Sequence, residues 1–572
     1  MTGPTATNAP FAVGIVRALA RLWPATVDAD PDLARSLGFL DWPVDAATVT
    51  SAAYGAALVV AATGTVLGGL LPGPGGLVAA AVSLALSTFV AVGGPALPGL
   101  LAAAKRSRAL GAAPSLVTRA TLRMRITPSP ERAADFAADA GAGPLARSLR
   151  DHVRRARRGP GTGLAAFARE WDPWFPELRR ACALVESAGR AAGERRERSL
   201  KRARSAVLEG ARDRLSEFAA GIRGPVTALY AFGVLLPLAL VSLLPAVRAA
   251  GLPASLPAVV IAYDVLLPAG LLAACGWLLA HRPVAFPPPS VDRSHPDVPS
   301  RRWPIPLAGI GGAAAAWLVA ARLLPHWTPP LAAVGFGTGL ALVAAYRPTV
   351  AVRERTRAVE AGLADAVALV GRRVRRGESV ERALPAVAEE LPEETGAVLA
   401  DAAARQRRLG IGVEAALDAA VADLPSRRVR AAAAAIALAA DEGRPAGDAL
   451  IATGEHLEAV TAVEREARRA VAQVTDTLSN TAAVFAPLVG GATVALADAF
   501  GTDGPLVADA NAAGLGAAVG VYVLLLAVLL TALATGLTRG FDRSLVGYRV
   551  GLALLAATAT YLTALAGAGL AV

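Results

Sequence analysis

With 572 residues, 54% of them hydrophobic, only 18% charged and a mean hydropathy of +0.47, the chain reads as an integral membrane protein. Its net charge of +11 rests on arginine, since Lys105 and Lys201 are the only lysines. Neither lysine follows a glycine, which excludes a GxxxxGK phosphate loop, and Cys182, Cys275 and five scattered histidines form no disulfide framework, CxxC site or HExxH helix.

Residues 1–48 read as a cytoplasmic N-terminal segment. No cleavable signal is expected, because the first apolar span begins only near Val49. Within the segment, Phe11–Trp23 puts Phe11, Ile15, Val16, Leu19 and Leu22 on one helical face, with Arg17 and Arg21 towards another, and Pro24 stops it. The pattern fits a helix lying on the membrane surface, or a disordered tail with a chance pattern.

A membrane span needs about 20 mainly apolar residues. Residues 49–104 hold two, Thr50–Leu71 and Leu77–Ala104, joined at Pro72–Gly76. Lys105, Arg106 and Arg108 then mark the cytoplasmic side. Residues 105–223 form a first soluble helical domain with a net charge of about +13. Arg154, Arg155, Arg157 and Arg158 cluster there. Arg195, Arg196, Arg198, Lys201, Arg202 and Arg204 form a second cluster that wraps its helix.

Residues 224–281 re-enter the membrane as Pro225–Val247 and Ser255–Leu279. Pro237 and Pro245 lie inside the first of these, where neighbouring helices must satisfy the carbonyls that a proline frees. Residues 282–304 are a Pro-rich cytoplasmic linker, stiff enough to space two halves. Residues 305–346 give Ile305–Leu324 and Pro329–Tyr346, with Gly335 and Gly339 spaced for close helix approach.

Residues 347–477 are a second soluble helical domain, with a charge of about −2, punctuated by Gly377, Gly410, Gly412 and Gly443. Residues 478–572 supply three more spans: Leu478–Phe500, Gly514–Leu537 and Leu545–Leu570. Pro487 occupies in the first of them the place that Pro237 has in the first half. The expected fold is all-α and polytopic, with about nine transmembrane helices and two homologous cytoplasmic helical domains. The expected place is the cell (cytoplasmic) membrane, with the N-terminus in the cytoplasm and the C-terminus outside. Both soluble domains and every Arg-rich loop then lie on one side.

Several features are weighed for chemistry. The arginine clusters fit a docking surface for an acidic partner, attraction to anionic lipid, or a solvated helix face; nucleic acid is not expected, because the basic segment lacks interleaved aromatics. Asp264, inside an apolar run, marks either a proton or substrate path or an interfacial carboxylate paired with Arg248. The pieces GPGTG and LGIGV read as helix ends rather than phosphate loops, since no strand precedes them. In EGRPAGDAL, Gly443 reads as a helix stop, with Pro445 and Asp448 in the next first turn. Trp171 and Trp174 fit packing at a helix corner, or a partner anchor. No catalytic constellation, metal site or cofactor site emerges.

The second domain also has an echo. RRLGIGVEAAL at Arg407–Leu417, followed by Leu424 and Pro425, returns about 250 residues earlier as RRGPGTGLAAF at Arg157–Phe167, followed by Phe175 and Pro176. Gly161 and Gly163 match Gly410 and Gly412. The pattern comprises helix turns at Arg376-Gly377 and Arg408-Leu409-Gly410, a Leu-Pro, a connection at Asp441-Glu442-Gly443 running to Leu450, and a Pro-containing span. It resembles the type II secretion system F family, the membrane platform proteins of type IV pili, secretion pseudopili and archaella. The first domain departs from it, with Glu186-Ser187-Ala188-Gly189 where Glu-Gly is expected. The extra paired spans before each domain resemble the archaeal or tight-adherence branch.

The resemblance implies a protein that is not an enzyme and carries no cofactor. Its implied partners are a hexameric cytoplasmic secretion ATPase, pilin-like subunits, the lipid membrane and a second copy in a homodimer. Arg154, Arg155, Arg157, Arg158, Arg407, Arg408, Glu442 and Gly443 are the candidates for partner docking. Gly161, Gly163, Gly410, Gly412, Pro237 and Pro487 are the candidates for structural roles. The alternative is a transporter or channel with duplicated halves, which usually places polar residues in several spans; here the spans are mainly Ala, Leu, Val and Gly.

Overall fold

A computed structural model describes residues 9–70, 74–139, 141, 143–157, 162–249, 256–282, 291, 295–299, 301, 303–501, 510–540 and 542–571. Every regular element among them is helical. Nine helices among the described residues are long and apolar enough to cross a membrane, and each overlaps one of the expected spans, so the chain is a multi-pass membrane protein. The helix Ala510–Arg539 forms the centre of the membrane core, with Val523, Leu526, Ala527, Leu530 and Leu533 fully buried. The hairpin helices instead turn large apolar side chains outward, such as Val92 at 71% and Leu323 at 76% exposure, as a lipid-facing surface requires.

Small residues set how closely the spans cross. A Cβ on Gly335 would fall 2.0 Å from Thr558 Oγ1, and one on Gly551 would fall 2.8 Å from the Gly339 carbonyl. The helices Thr328–Ala361 and Arg543–Ala571 therefore touch backbone to backbone, as the Gly335/Gly339 spacing leads one to expect. Below this crossing Arg353, 1% exposed, pairs with Asp542 at 2.5 Å. Asp542 Oδ1 also accepts from the N–H groups of Ser544 and Leu545, capping the last span.

The N-terminal stretch is helical at Ala9–Ala20. It crosses the first span at Gly55, whose Cβ position would be 2.0 Å from the Leu19 carbonyl, and Trp23 stacks at 5.1 Å on Tyr54. The helix Pro31–Leu40 follows and brings Phe39 against Trp171 at 6.2 Å.

Two separate hydrophobic cores lie beyond the spans. The first is built by Ala113–Ile126, Pro130–Asp139, Pro144–Ala156, Leu164–Trp171, Pro176–Arg190 and the start of Gly193–Gly221. The second is built by Leu363–Arg375, Val380–Glu390, Glu393–Leu409, Val413–Val421, Arg427–Glu442 and the start of Arg444–Asn480. The order and relative lengths of the six helices agree, including a shortest fourth member of 8 and 9 residues. Each set follows a hairpin of two spanning helices, Ala46–Leu70 with Pro74–Leu110, and Pro304–Leu323 with Thr328–Ala361.

The last helix of each set runs on into the membrane as a rod. Helix is continuous over Gly193–Val241 in one half and Ala446–Ala497 in the other. The second rod is interrupted only by a π turn at Thr481–Phe485; the first has one at Ala231–Leu235 and also a one-residue turn at Ile222, between Gly193–Gly221 and Arg223–Tyr230, where the backbone stays in the helical region. A third π turn lies at Ile261–Leu266. All three end two residues before a proline: Pro237, Pro487 and Pro268. The cause is local. Proline has no N–H, and its ring clashes with the carbonyl four residues back in an α-helix; widening the preceding turn by one residue relieves the clash without breaking the rod.

Candidate functional site

The membrane end of the first rod meets two tyrosines. In an α-helix the residue at 237 would serve the Gly233 carbonyl, but Pro237 has no donor. The Tyr522 hydroxyl donates to that carbonyl instead. Tyr263 donates to the Pro237 carbonyl at 2.6 Å and packs edge-on against Tyr522, with ring centroids 5.5 Å apart. The second rod has a weaker counterpart: Thr560 Oγ1 lies 3.5 Å from the carbonyl of Ala483, four residues before Pro487. The expectation that neighbours satisfy the carbonyls freed by Pro237 and Pro245 thus finds its side chains at Pro237; the side chain of Pro245 lies outside the described residues. The apolar pattern of the spans gave no position for them; the signal available was the buried tyrosine hydroxyl, which seeks a partner in a membrane core.

At their other ends the rods touch each other, and so do the two helical units. Arg212 on the first rod pairs with Glu466 on the second. Thr118 Oγ1 and His456 Nε2 are 3.2 Å apart. Burial, with Arg204 and Arg428 nearby, pushes the His456 imidazole down to about 4, so it is neutral near pH 7. Glu464 binds Arg428 and also Arg468 at 3.6 Å. Ser426 caps Arg427–Glu442 by accepting from the Val429 N–H and donates to Glu360 at 2.5 Å. The described part of the Pro-rich linker rests on the second unit, with His295 Nε2 2.6 Å from the Asp423 carbonyl oxygen.

The residues singled out from the sequence do not converge on one spot. Arg154, Arg155 and Arg157 sit at the end of Pro144–Ala156 and are engaged locally: Arg154 with Asp151, Arg155 Nε with the Asp151 carbonyl at 3.2 Å, Arg157 with Asp135 at 2.9 Å. Arg158 and Gly161 lie outside the described residues. Arg407 and Arg408 are exposed in the last turn of Glu393–Leu409, and Glu442 is exposed at the end of Arg427–Glu442. Gly410 and Gly443 end these helices with φ of 64° and 69°. Gly163 has φ 78°, and a Cβ there would meet the His152 carbonyl at 2.9 Å; Gly412 precedes Val413–Val421 in an ordinary extended conformation.

Trp171 is buried in the first core and donates from Nε1 to Ser148 Oγ at 3.0 Å, which fits the packing reading. Trp174 is partly exposed and holds the Arg106 guanidinium 4.1 Å from its ring centroid. Asp264 lies in the third π turn with Oδ1 buried and without a hydrogen bond among the described residues. The Arg248 side chain, its expected partner, lies outside the described residues. Among the described residues no three His, Cys, Asp or Glu side chains are grouped to hold a metal. Set beside known proteins, the chain matches no family model, no curated protein and no solved structure.

Proposed function

We propose that the protein is a cytoplasmic-membrane platform of a type IV pilus-like assembly or secretion machine, coupling a cytoplasmic secretion ATPase to the movement of pilin-like subunits. The observation that carries this reading is the pair of rods. Each runs from a helical unit into the membrane, the first with a one-residue turn at Ile222, and each has a π turn before a proline. A push or twist on either unit is carried along a stiff helix to the π turn, where its direction can change. The matching order of five helices before each rod supports a lever present in two copies, the charge-balanced second one being the better-kept copy.

The test is co-purification of the full-length chain in detergent with the secretion ATPase encoded beside it. A stable complex, with no nucleotide hydrolysis by the chain alone, supports the reading. A chain that never binds the ATPase, in detergent or in membranes, overturns it. One observation favours the second reading, a transporter: Asp264 is buried in a π turn without a hydrogen bond among the described residues. Flux into vesicles that Asp264→Asn abolishes would decide for that alternative.

A further inference from the structure

A cavity of about 900 Å³ opens where the two helical units, the two rods and the ends of two other spans come together. Its lining holds eight arginines and only two acids, Glu360 and Glu464. Both acids are already engaged, Glu360 by Ser426 and Glu464 by Arg428 and Arg468. Six of the arginines form no ion pair with these acids: Arg119, Arg427 and Arg430 under the helical units, and Arg282, Arg357 and Arg539 towards the membrane, where Arg282 also donates to the Leu537 and Thr538 carbonyls. Burial and the neighbouring arginines push Arg282 and Arg357 down to about 10, and act on Arg539 in the same direction. Like charges gathered in a half-buried space are costly, and a fold that keeps them there needs a counter-charge.

The walls indicate what kind of counter-charge fits. Leu215, Phe218, Val471 and Leu537 form an apolar side that continues into the spans, while the arginines and Ser426 form a polar side under the helical units. Guanidinium groups suit a tetrahedral oxyanion because their N–H donors fork onto pairs of oxygens. We propose that this cavity binds a phosphate ester, its anionic oxygens among Arg282, Arg357 and Arg539 and any attached chain along the apolar wall. Both helical units contribute to the lining, through Arg119 on one side and Arg427 on the other, so the bound anion bridges the units. Its source is an anionic phospholipid headgroup or a soluble phosphate compound; the chemistry of recognition is shared. The inference does not rest on the platform reading.

The experiment uses the full chain in neutral detergent and follows thermal unfolding while titrating three probes: phosphatidylglycerol in mixed micelles, phosphatidylcholine in the same micelles, and inorganic pyrophosphate. Phosphatidylglycerol or pyrophosphate should raise the midpoint by several degrees, and phosphatidylcholine should not. A response to phosphatidylglycerol alone identifies a lipid source; a response to pyrophosphate identifies a soluble one. The double variant R357Q/R539Q should need at least about tenfold more of the active probe. R154Q/R155Q, with the same loss of charge on an exposed helix end, should behave as wild type. If R357Q/R539Q does not fold, R357K/R539K keeps the charge and loses the fork, and should still bind several-fold more weakly. The proposal fails if neither anionic probe acts beyond phosphatidylcholine. It also fails if the exposed pair weakens binding as much as the cavity pair does, or if the folded cavity variants bind as wild type.

Discussion

The Tyr522 hydroxyl donates to the carbonyl of Gly233, four residues before Pro237, which is the group that a residue other than proline would serve through its own N–H. A side chain on one span thus repairs a backbone defect on another and ties the first rod to the central helix of the membrane core.

This repair has a thermodynamic signature. Tyr522→Phe should destabilise the chain by about 1 kcal/mol, because the carbonyl is left without a donor in an apolar setting. In a Pro237→Ala background, where residue 237 regains its N–H, the same substitution should cost much less. Thermal unfolding of the four members of this double-mutant cycle in detergent checks it; equal costs in both backgrounds would remove Pro237 from the explanation.

Close packing of the sixth and ninth spans depends on Gly551. A side chain there meets the Gly339 carbonyl at 2.8 Å, Leu342 Cβ at 3.0 Å and a Val343 methyl at 3.0 Å, the first two of which are fixed by the backbone. Gly551→Val should lower stability by about 1–3 kcal/mol. Gly311→Val, on a helix face with nothing within 4 Å, should be close to neutral. The difference in melting temperature between the two variants is the measurement.

Asp542 has two duties, pairing with buried Arg353 and capping the last span. Asp542→Ala removes both and should cost about 3–5 kcal/mol, most of it from disturbing a buried charge. Asp542→Asn keeps an oxygen for the cap and should fall between that variant and wild type. Denaturant titration in mixed micelles orders the three.

His456 should make the contact between the units sensitive to acid. Its folded pKa, about 4, lies below the ordinary value of 6.5, so the unfolded chain takes up the proton first as pH falls. The stability contributed by the neutral ring is complete above about pH 6.5 and drains away towards pH 4. Melting temperature followed from pH 7 to pH 4 should fall more steeply in wild type than in His456→Gln.

Apolar runs near 20 residues were enough to place the spans, because a bilayer fixes the length a helix must have. The glycine punctuation at Gly410 and Gly443 was legible for an equally local reason, since each ends its helix with positive φ. Pro237 and Pro487 were visible as disturbances, but not the side chains that reach the carbonyls they free, since Tyr522 and Thr560 lie on other spans far along the chain. Arginine was legible as clusters along the chain, but not as charge gathered in space. The run from Arg154 to Arg157 is conspicuous in the sequence, yet the residues described there are engaged by near neighbours. Arg119, Arg282, Arg357 and Arg539 stand far apart along the chain and read as ordinary residues of loops and helix ends, but folding brings them to one cavity.

A π turn holds one more residue than an α turn, and each α-helical residue advances the helix by about 100°. Removing one residue from Ala231–Leu235 would therefore take out the residue that the wide turn accommodates: the rod would keep almost the same length, everything beyond it would keep nearly the same angle, and Pro237 would be left to clash within an α turn. A residue deleted from an α-helical part of the same rod, with no wide turn to absorb it, would instead swing its membrane end by about 100°. The second rod carries the same device at Thr481–Phe485, so each rod can absorb one residue's change in length at the turn and at no α-helical position.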